Sequence, residues 1–144
     1  MLFRSESCDA VDQDCDGSVD EGVPDDSYEM TGNTPYTLTG TSATGWFSST
    51  DTAGEDWYTF TVAVSSTAKS TKNVHISYSG PSGHVVTVEE NDGTKTTSTT
   101  VTSASPMSTI VVKGGTSVFT ILVAADRSLS DSDLCLTPYT LKIY

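Results

Sequence analysis

Carboxylates crowd the first part of this chain at a spacing that suits a divalent cation. Residues 8–22, CDAVDQDCDGSVDEG, contain no Lys or Arg and carry six acids: Asp9, Asp12, Asp14, Asp16, Asp20 and Glu21. Because the acids at 12, 14 and 16 alternate, their side chains converge on one point of an extended or looping backbone. Gly17, directly behind them, can take the positive φ of a sharp turn. Without a cation these charges repel one another, and the segment lacks the apolar content to fold.

The type of ligand indicates the ion. Calcium accepts about six to eight oxygen ligands in irregular geometry, whereas magnesium demands a near-ideal octahedron. The sequence therefore predicts a Ca²⁺ site built from these six acids. The alternative interpretation is a solvated acidic linker.

The same stretch resembles known metal-binding repeats. D-x-D-x-D-G-x-x-D-E is similar in outline to EF-hand loops, dockerin repeats and thrombospondin type 3 repeats. The EF-hand template fits in part: with Asp12 as its first position, the twelfth is Val23 rather than Glu. The Cys-framed form from Cys8 to Gly22 resembles the MopE-type metal-binding motif of secreted bacterial proteins, with Gln13 where that repeat usually has Asn. Family naming associates the motif with copper, but the hard oxygen ligands here favour calcium.

The chain has three cysteines. Cys8 and Cys15 flank the first three acids of the cluster, which predicts a small disulfide loop at the site. Disulfides and open calcium loops both suit an extracellular setting with millimolar calcium. Cys135, flanked by Leu134 and Leu136, is typical of a buried thiol. Pairing of Cys135 with Cys8 or Cys15, or between molecules, stays open.

The length and net charge of the chain limit the functions that it can have. A chain of 144 residues with 19 acids, 7 bases and a formal charge of −12 indicates a single domain that does not bind nucleic acid. The charge also disfavours anionic membrane surfaces. No run approaches the ~20 apolar residues of a membrane span. The first residues lack the apolar core of a signal peptide, so a piece of a longer precursor, or a processed chain, is expected.

Two regions follow from the charge distribution. Residues 1–34 are predicted to form an acidic, calcium-binding segment with a linker, because ten of the nineteen acids lie between Glu6 and Glu29. Residues 35–144 are nearly neutral, rich in Ser and Thr, and form a series of short apolar alternations separated by Gly, Ser, Asp and Pro. The predicted strands are 36–39, 45–48, 56–64, 74–79, 85–90, 97–102, 108–112, 117–125 and 139–144.

These strands predict an all-β fold. No stretch has helical periodicity, and Asn91-Asp92-Gly93 is a hairpin signal. Tyr58, Phe60 and Val62 are expected on one face of their strand, and the strand around Phe119 is expected to be buried on both faces. The result is an antiparallel β-sandwich, jelly-roll-like or immunoglobulin-like.

A second resemblance covers most of residues 36–144. The stretch 51–62, DTAGEDWYTFTV, is similar to the D-x-D-W-Y-x-F-x-V opening of bacterial pre-peptidase C-terminal domains. The Gly114-Gly115 turn and the closing strand at Tyr139 also match. The resemblance implies a non-catalytic β-sandwich appended to secreted enzymes and surface proteins. Some members bind collagen or polysaccharide, and others serve secretion or assembly.

Catalysis is not predicted. His75 is expected on the solvent side of its strand, and His84 follows a Pro-Ser-Gly turn. The sequence places no base beside a Ser or Cys nucleophile. Glu89 and Glu90 point to opposite faces of one strand, which does not suit a glycosidase pair.

Two non-catalytic functions therefore remain. The first is a structural or assembly subunit of a cell-surface or extracellular structure, such as a filament, stalk or adhesin part, whose partners are other copies or another extracellular protein. The alternative is an accessory module that binds polysaccharide or protein through Trp46 and Phe47. For each of the two tryptophans, packing in the core is the competing expectation. Six acids in the second region are candidates for further calcium ligands, and the alternative interpretation is that they lie in plain polar loops. They are Asp51, Glu55, Asp56, Asp126, Asp131 and Asp133.

Overall fold

The computed structural model describes residues 35–47, 54–66, 70–126, 128–129 and 137–144. Within these ranges the regular structure is entirely β-strand, which confirms the predicted all-β class. The strands are β1 (Tyr36–Thr37), β2 (Ser42–Gly45), β3 (Glu55–Val64), β4 (Thr71–Ser79), β5 (Val85–Asn91), β6 (Thr96–Val101), β7 (Met107–Lys113), β8 (Gly115–Ala124) and β9 (Tyr139–Ile143).

The strands form two sheets that pack face to face. The five-stranded sheet has the order β1-β3-β8-β5-β6, and the four-stranded sheet has the order β2-β9-β4-β7. The pairs are antiparallel, as expected, except that β1 runs parallel to β3, with Tyr36 opposite Tyr58. The chain passes from β1 to β2 in the other sheet before it returns as β3. No hairpin therefore links the two neighbours or sets their relative direction.

Alternation along the strands places the core between the sheets. In β3, Tyr58 and Val62 are buried and Phe60 packs against them, which confirms the predicted inner face. In β8, Phe119 is fully buried and stacks on Phe60 with ring centroids 4.7 Å apart. The expectation that β8 is buried on both faces was wrong. Its other face carries Val118, which is 44% exposed, because no further layer covers that side of the sheet in the described structure.

The predicted hairpin at residues 91–93 is confirmed and links β5 to β6. An oxygen of Asp92 accepts hydrogen bonds from the backbone N–H groups of Thr94 and Lys95 at 2.8 and 2.9 Å. Gly93 has φ +87°, a backbone angle that residues with a side chain rarely adopt. A hydrogen bond from the Thr94 hydroxyl, followed in effect by these two backbone bonds, lowers the pKa of the exposed Asp92 carboxyl to about 2.

One end of the sandwich, called here the loop end, brings Asp56, Tyr139 and His84 close together. Strands β2, β4 and β8 end there, and β3, β5 and β9 begin there. Strand β2 lies at 42–45 rather than at the predicted 45–48, because residues 42–45 pair with β9 and the chain turns inward at Phe47. Among the described residues no helix has the length and apolar character needed to cross a membrane.

Candidate functional site

The predicted calcium ligands lie outside the described residues. This applies to Asp9, Asp12, Asp14, Asp16, Asp20 and Glu21, and also to Cys8, Cys15 and Cys135. The proposed metal site and disulfide therefore stay predictions that rest on the sequence.

The second predicted site, Trp46 with Phe47, does not form an exposed aromatic pair. Phe47 is fully buried. Its ring stacks on Tyr139 with centroids 5.6 Å apart and meets the ring of His84 edge-on at 5.1 Å. Trp46 is partly buried. Phe47 thus belongs to the core and does not offer its face to a glycan, because the chain after β2 turns in between the two sheets.

A buried polar network links the sheets at the loop end. Asp56, on the inner face of β3, is fully buried, and its carboxylate accepts a hydrogen bond from the hydroxyl of Tyr139 on β9. The hydroxyl of Tyr58 lies 2.5 Å from that of Tyr139. Since the single hydroxyl proton of Tyr139 is directed to the carboxylate, Tyr58 is the donor in this second bond. Burial and the adjacent carboxylate raise the pKa of Tyr139, so it remains a donor at every ordinary pH.

His84 lies beside this network. The sequence predicted only that it follows a turn, but its side chain is buried, with 1% exposed. The hydroxyl of Tyr78 donates to the carbonyl oxygen of Pro81 at 3.0 Å and lies 3.1 Å from Nδ1 of His84. Because Tyr78 has one proton, His84 donates from Nδ1, and Nε2 carries only a lone pair. Nε2 is buried and has no hydrogen-bond partner among the described residues.

The surroundings keep His84 neutral. Burial lowers the pKa of the imidazole, and the nearby Asp126 carboxylate offsets part of this effect. Burial likewise raises the pKa of Tyr78 to about 12. The ring of Tyr78 stacks on Tyr139 with centroids 6.2 Å apart, so the two polar groups share one aromatic cluster.

The further calcium ligands considered in the sequence are not brought together. Glu55 lies on the outer face and accepts a hydrogen bond from the indole N–H of Trp57 at 3.2 Å, whereas Asp56 faces the core. Asp126 accepts bonds from the backbone N–H and hydroxyl of Ser128. Across the ranges that the structure describes, no three His, Cys, Asp or Glu side chains are placed to hold one metal ion. Asp51, Asp131 and Asp133 lie outside those ranges.

Each sheet has one long and one short edge. The short edges are β1 and β2, with two and four residues. The long edges are β6 and β7, with six and seven residues. Within the described chain β6 pairs with β5 on one side only, and no described strand pairs with the N–H and C=O groups on its other side. Such groups can pair with an added strand.

Comparisons of the chain with protein-family profiles, with curated proteins and with solved structures find no match.

Proposed function

We propose that this protein is a non-catalytic, calcium-binding extracellular β-sandwich that acts as a structural or assembly subunit of a cell-surface or extracellular structure. Its partners are other copies of itself or another extracellular protein. The observation that carries the proposal is the edge strand β6 of the five-stranded sheet, which among the described residues pairs with β5 alone.

Proteins that stay monomeric usually protect their sheet edges. They use short edge strands, charged residues, proline or bulges. Strand β6, Thr-Thr-Ser-Thr-Thr-Val, contains neither charge nor proline and pairs with β5 in an unbroken register over all six residues. Its side chains are mostly exposed hydroxyls, which are compatible with water and with a neighbouring strand. An edge of this kind supports strand addition.

The edge also suggests the geometry of pairing. Two β6 strands can pair with each other across a two-fold axis, so that the five-stranded sheets of two copies join into one sheet of twice the width. Such a contact uses the same surface on both copies and closes at a dimer.

The acidic segment supports the calcium part of the proposal. Residues 8–22 supply six carboxylates and no cation, and hard oxygen donors of this kind suit Ca²⁺. Asp9, Asp12, Asp14, Asp16, Asp20 and Glu21 would hold the ion, with Cys8 and Cys15 closing the loop. Bound calcium would reduce the negative charge of the segment, which weakens its repulsion from a neighbouring acidic molecule.

The finer fold hypothesis is a jelly-roll-like or immunoglobulin-like sandwich. Every chain connection except that between β5 and β6 crosses from one sheet to the other. Crossing connections are typical of Greek-key sandwiches, and this pattern supports the hypothesis.

The experiment compares two matched Thr→Lys variants. Thr100→Lys adds a charge to an exposed position of the edge strand β6, and Thr61→Lys adds one to an exposed position of β3, which β8 and β5 separate from β6. Wild type and both variants are analysed by size-exclusion chromatography with light scattering and by negative-stain imaging, each in millimolar calcium and in chelator.

We expect wild type and Thr61→Lys to associate in calcium and Thr100→Lys to remain monomeric. Equal association of Thr100→Lys and wild type would exclude the β6 edge as the contact. Monomers of wild type under every condition would contradict the assembly function and would favour the alternative of an accessory ligand-binding module.

A further inference from the structure

Charge is segregated between the two sheets. The strands of the five-stranded sheet contain four acidic residues and no base: Glu55, Asp56, Glu89 and Glu90. The strands of the four-stranded sheet contain no acidic residue and carry every basic residue of the strands: Lys72, His75, Lys113 and Lys142. In a chain with a formal charge of −12, a sheet without a single acidic side chain stands out.

Alternation decides which of these charges reach the outer faces. Asp56 is buried, and Glu90 is half-buried and accepts a hydrogen bond from the Ser117 hydroxyl at 2.9 Å. The outer face of the five-stranded sheet therefore presents Glu55 and Glu89. On the other sheet, Lys113 and Lys142 lie in register with solvent-facing positions of β4. The two outer faces thus have opposite charge.

Each face also has an apolar centre. On the acidic face, a shallow depression is lined by Trp57, Leu122, Thr87, Thr120 and Glu89. On the basic face, Met107, Val111 and Tyr144 are exposed by 55%, 51% and 61%. The Tyr144 ring stacks on His75 at 5.3 Å, and its hydroxyl lies 3.3 Å from the sulfur of Met107. These contacts group the exposed apolar side chains Met107 and Tyr144 of the basic face into one patch.

We propose that copies of this protein stack face to face, with the four-stranded outer face of one copy docked on the five-stranded outer face of the next. The inference rests on the proposed assembly function and supplies the contact that extends the assembly. Because the two surfaces differ and lie on opposite sides of the sandwich, the contact is heterologous and repeats into an open row rather than a closed pair. Pairing at the β6 edges joins two copies into a dimer, and stacking of the outer faces adds further dimers to the row.

The spacing of the charges supports the match. Lys142 lies opposite Ser77 and Lys113 opposite Thr71, with β4 between them, so standard strand geometry separates the two lysines by roughly 22 Å. Glu55 lies opposite Ala124 and Glu89 opposite Thr120, which gives a separation of roughly 17 Å by the same rule. The long, flexible side chains of lysine and glutamate can bridge that difference. A lysine can also lie over the indole of Trp57.

A single face is small. Five strands cover about 19 Å by about 25 Å, or roughly 500 Å², below the ~800 Å² per partner of a stable interface. Two copies joined at β6 double this area, so that stacking becomes bivalent. Elongation is therefore expected to depend on dimerisation and on salt, since exposed ion pairs are screened at high ionic strength.

The test uses charge reversal and complementation. Lys113→Glu/Lys142→Glu makes both outer faces acidic, and Glu55→Lys/Glu89→Lys makes both basic. Lys72→Glu/Lys95→Glu is the control for the first variant, because it makes the same change in net charge away from the outer faces. All are analysed in calcium by sedimentation velocity and negative-stain imaging, at about 0.1 M and about 1 M salt.

We expect wild type and the Lys72→Glu/Lys95→Glu control to form elongated assemblies at low salt and dimers at high salt. Each face variant alone is expected to stop at the β6 dimer. An equimolar mixture of the two face variants is expected to recover elongation, since each acidic face then meets a basic one. Recovery on mixing also demonstrates that both variants are folded.

Two results would overturn the stacking proposal. One is elongation by either face variant alone to the wild-type extent, and the other is a mixture that remains dimeric while wild type elongates. In both cases the dimer at β6 would persist, so the assembly function itself would stand. Wild-type monomers in all conditions would remove both proposals together.

Discussion

The hydroxyl of Tyr139 donates a hydrogen bond to the carboxylate of Asp56, and this contact joins the two sheets at the loop end. The residues are separated by 83 positions and lie on β9 and β3, which belong to different sheets. Both side chains are fully buried. A buried carboxylate requires hydrogen-bond donors, since transfer of an unpaired charge from water to the protein interior is very costly. Tyr139 therefore supplies, from the four-stranded sheet, a donor that the buried carboxylate of the five-stranded sheet needs.

Removal of this donor is expected to destabilise the fold. Tyr139→Phe keeps the ring that stacks on Phe47 and Tyr78 but deprives the Asp56 carboxylate of a hydrogen bond. The expected loss in free energy of unfolding is about 1–3 kcal/mol, because a buried acceptor loses a hydrogen-bond donor. Tyr144→Phe, at a hydroxyl on the exposed outer face, is the control and is expected to change stability by less than about 0.5 kcal/mol. Urea denaturation of both variants measures the difference, and equal stabilities would contradict the role of Tyr139.

Close packing around the same ring makes a second prediction. A Cβ atom on Gly45 would lie 2.3 Å from the hydroxyl oxygen of Tyr139 and 2.5 Å from its Cζ atom. Tyr139 is fully buried and cannot move aside, so Gly45→Ala is expected to cost about 1–3 kcal/mol through overpacking. At Gly40 a Cβ atom would meet nothing within 4 Å, and Gly40→Ala is expected to be close to neutral. Thermal melting of the two alanine variants tests the contrast, and a neutral Gly45→Ala would rule out the close packing.

The buried imidazole makes stability depend on pH. Burial lowers the pKa of His84 in the folded protein, whereas the unfolded residue titrates near about 6.5. Below that pH the unfolded chain binds a proton that the folded chain does not, so the free energy of unfolding falls as the pH is lowered. The pKa values of Asp92 and Asp126 are also lowered, but their contributions are lost at more acidic pH, below about 4.

His84→Gln removes this titration and keeps a neutral polar side chain. The variant is expected to lose less stability than wild type when the pH is lowered from about 7.5 to about 5. His75→Gln, which retains His84, is the matched control and should keep the wild-type dependence. Denaturation midpoints across the pH series give the slopes, and parallel curves for wild type and His84→Gln would refute the assignment.

Calcium removal is expected to act on the acidic segment and to leave the sandwich intact. With a dissociation constant of ~10⁻⁴–10⁻³ M, typical of extracellular modules, millimolar calcium contributes roughly 0.4–1.4 kcal/mol. That is too little to hold the sheets together. Chelator should therefore shift thermal melting only slightly, while protease sensitivity within residues 9–21 increases. Loss of the whole fold in chelator would instead indicate calcium sites within the sandwich.

The ligand assignment is tested in the same segment. Asp14→Asn/Asp16→Asn is expected to abolish calcium binding in isothermal titration. Asp25→Asn/Asp26→Asn, which changes the charge equally but lies outside residues 8–22, should bind as wild type does. Binding that is equally weakened in both variants would mean that general charge, not the alternating aspartates, attracts the ion.

The linear sequence by itself determined most of the strands and, in β3, the inner face, whereas the position of β2 and the exposed face of β8 were not predicted. Period-two alternation, as in the stretch from Tyr58 to Val62, is a local property, and the hairpin at Asp92-Gly93 depends only on neighbouring residues. The clustering of acids in residues 8–22 is local in the same sense, so the calcium hypothesis needs no tertiary information.

Only the tertiary structure decided which strands are neighbours, and with it every contact between distant residues. The parallel pairing of β1, the burial of Phe47 and His84, and the bond from Tyr139 to Asp56 join positions that the sequence holds far apart. The opposite charges of the two outer faces arise in the same way. Lys113 and Lys142 share a sheet only because β7 and β9 both pair with β4. This pairing depends on how the whole core packs and cannot be read from either strand alone.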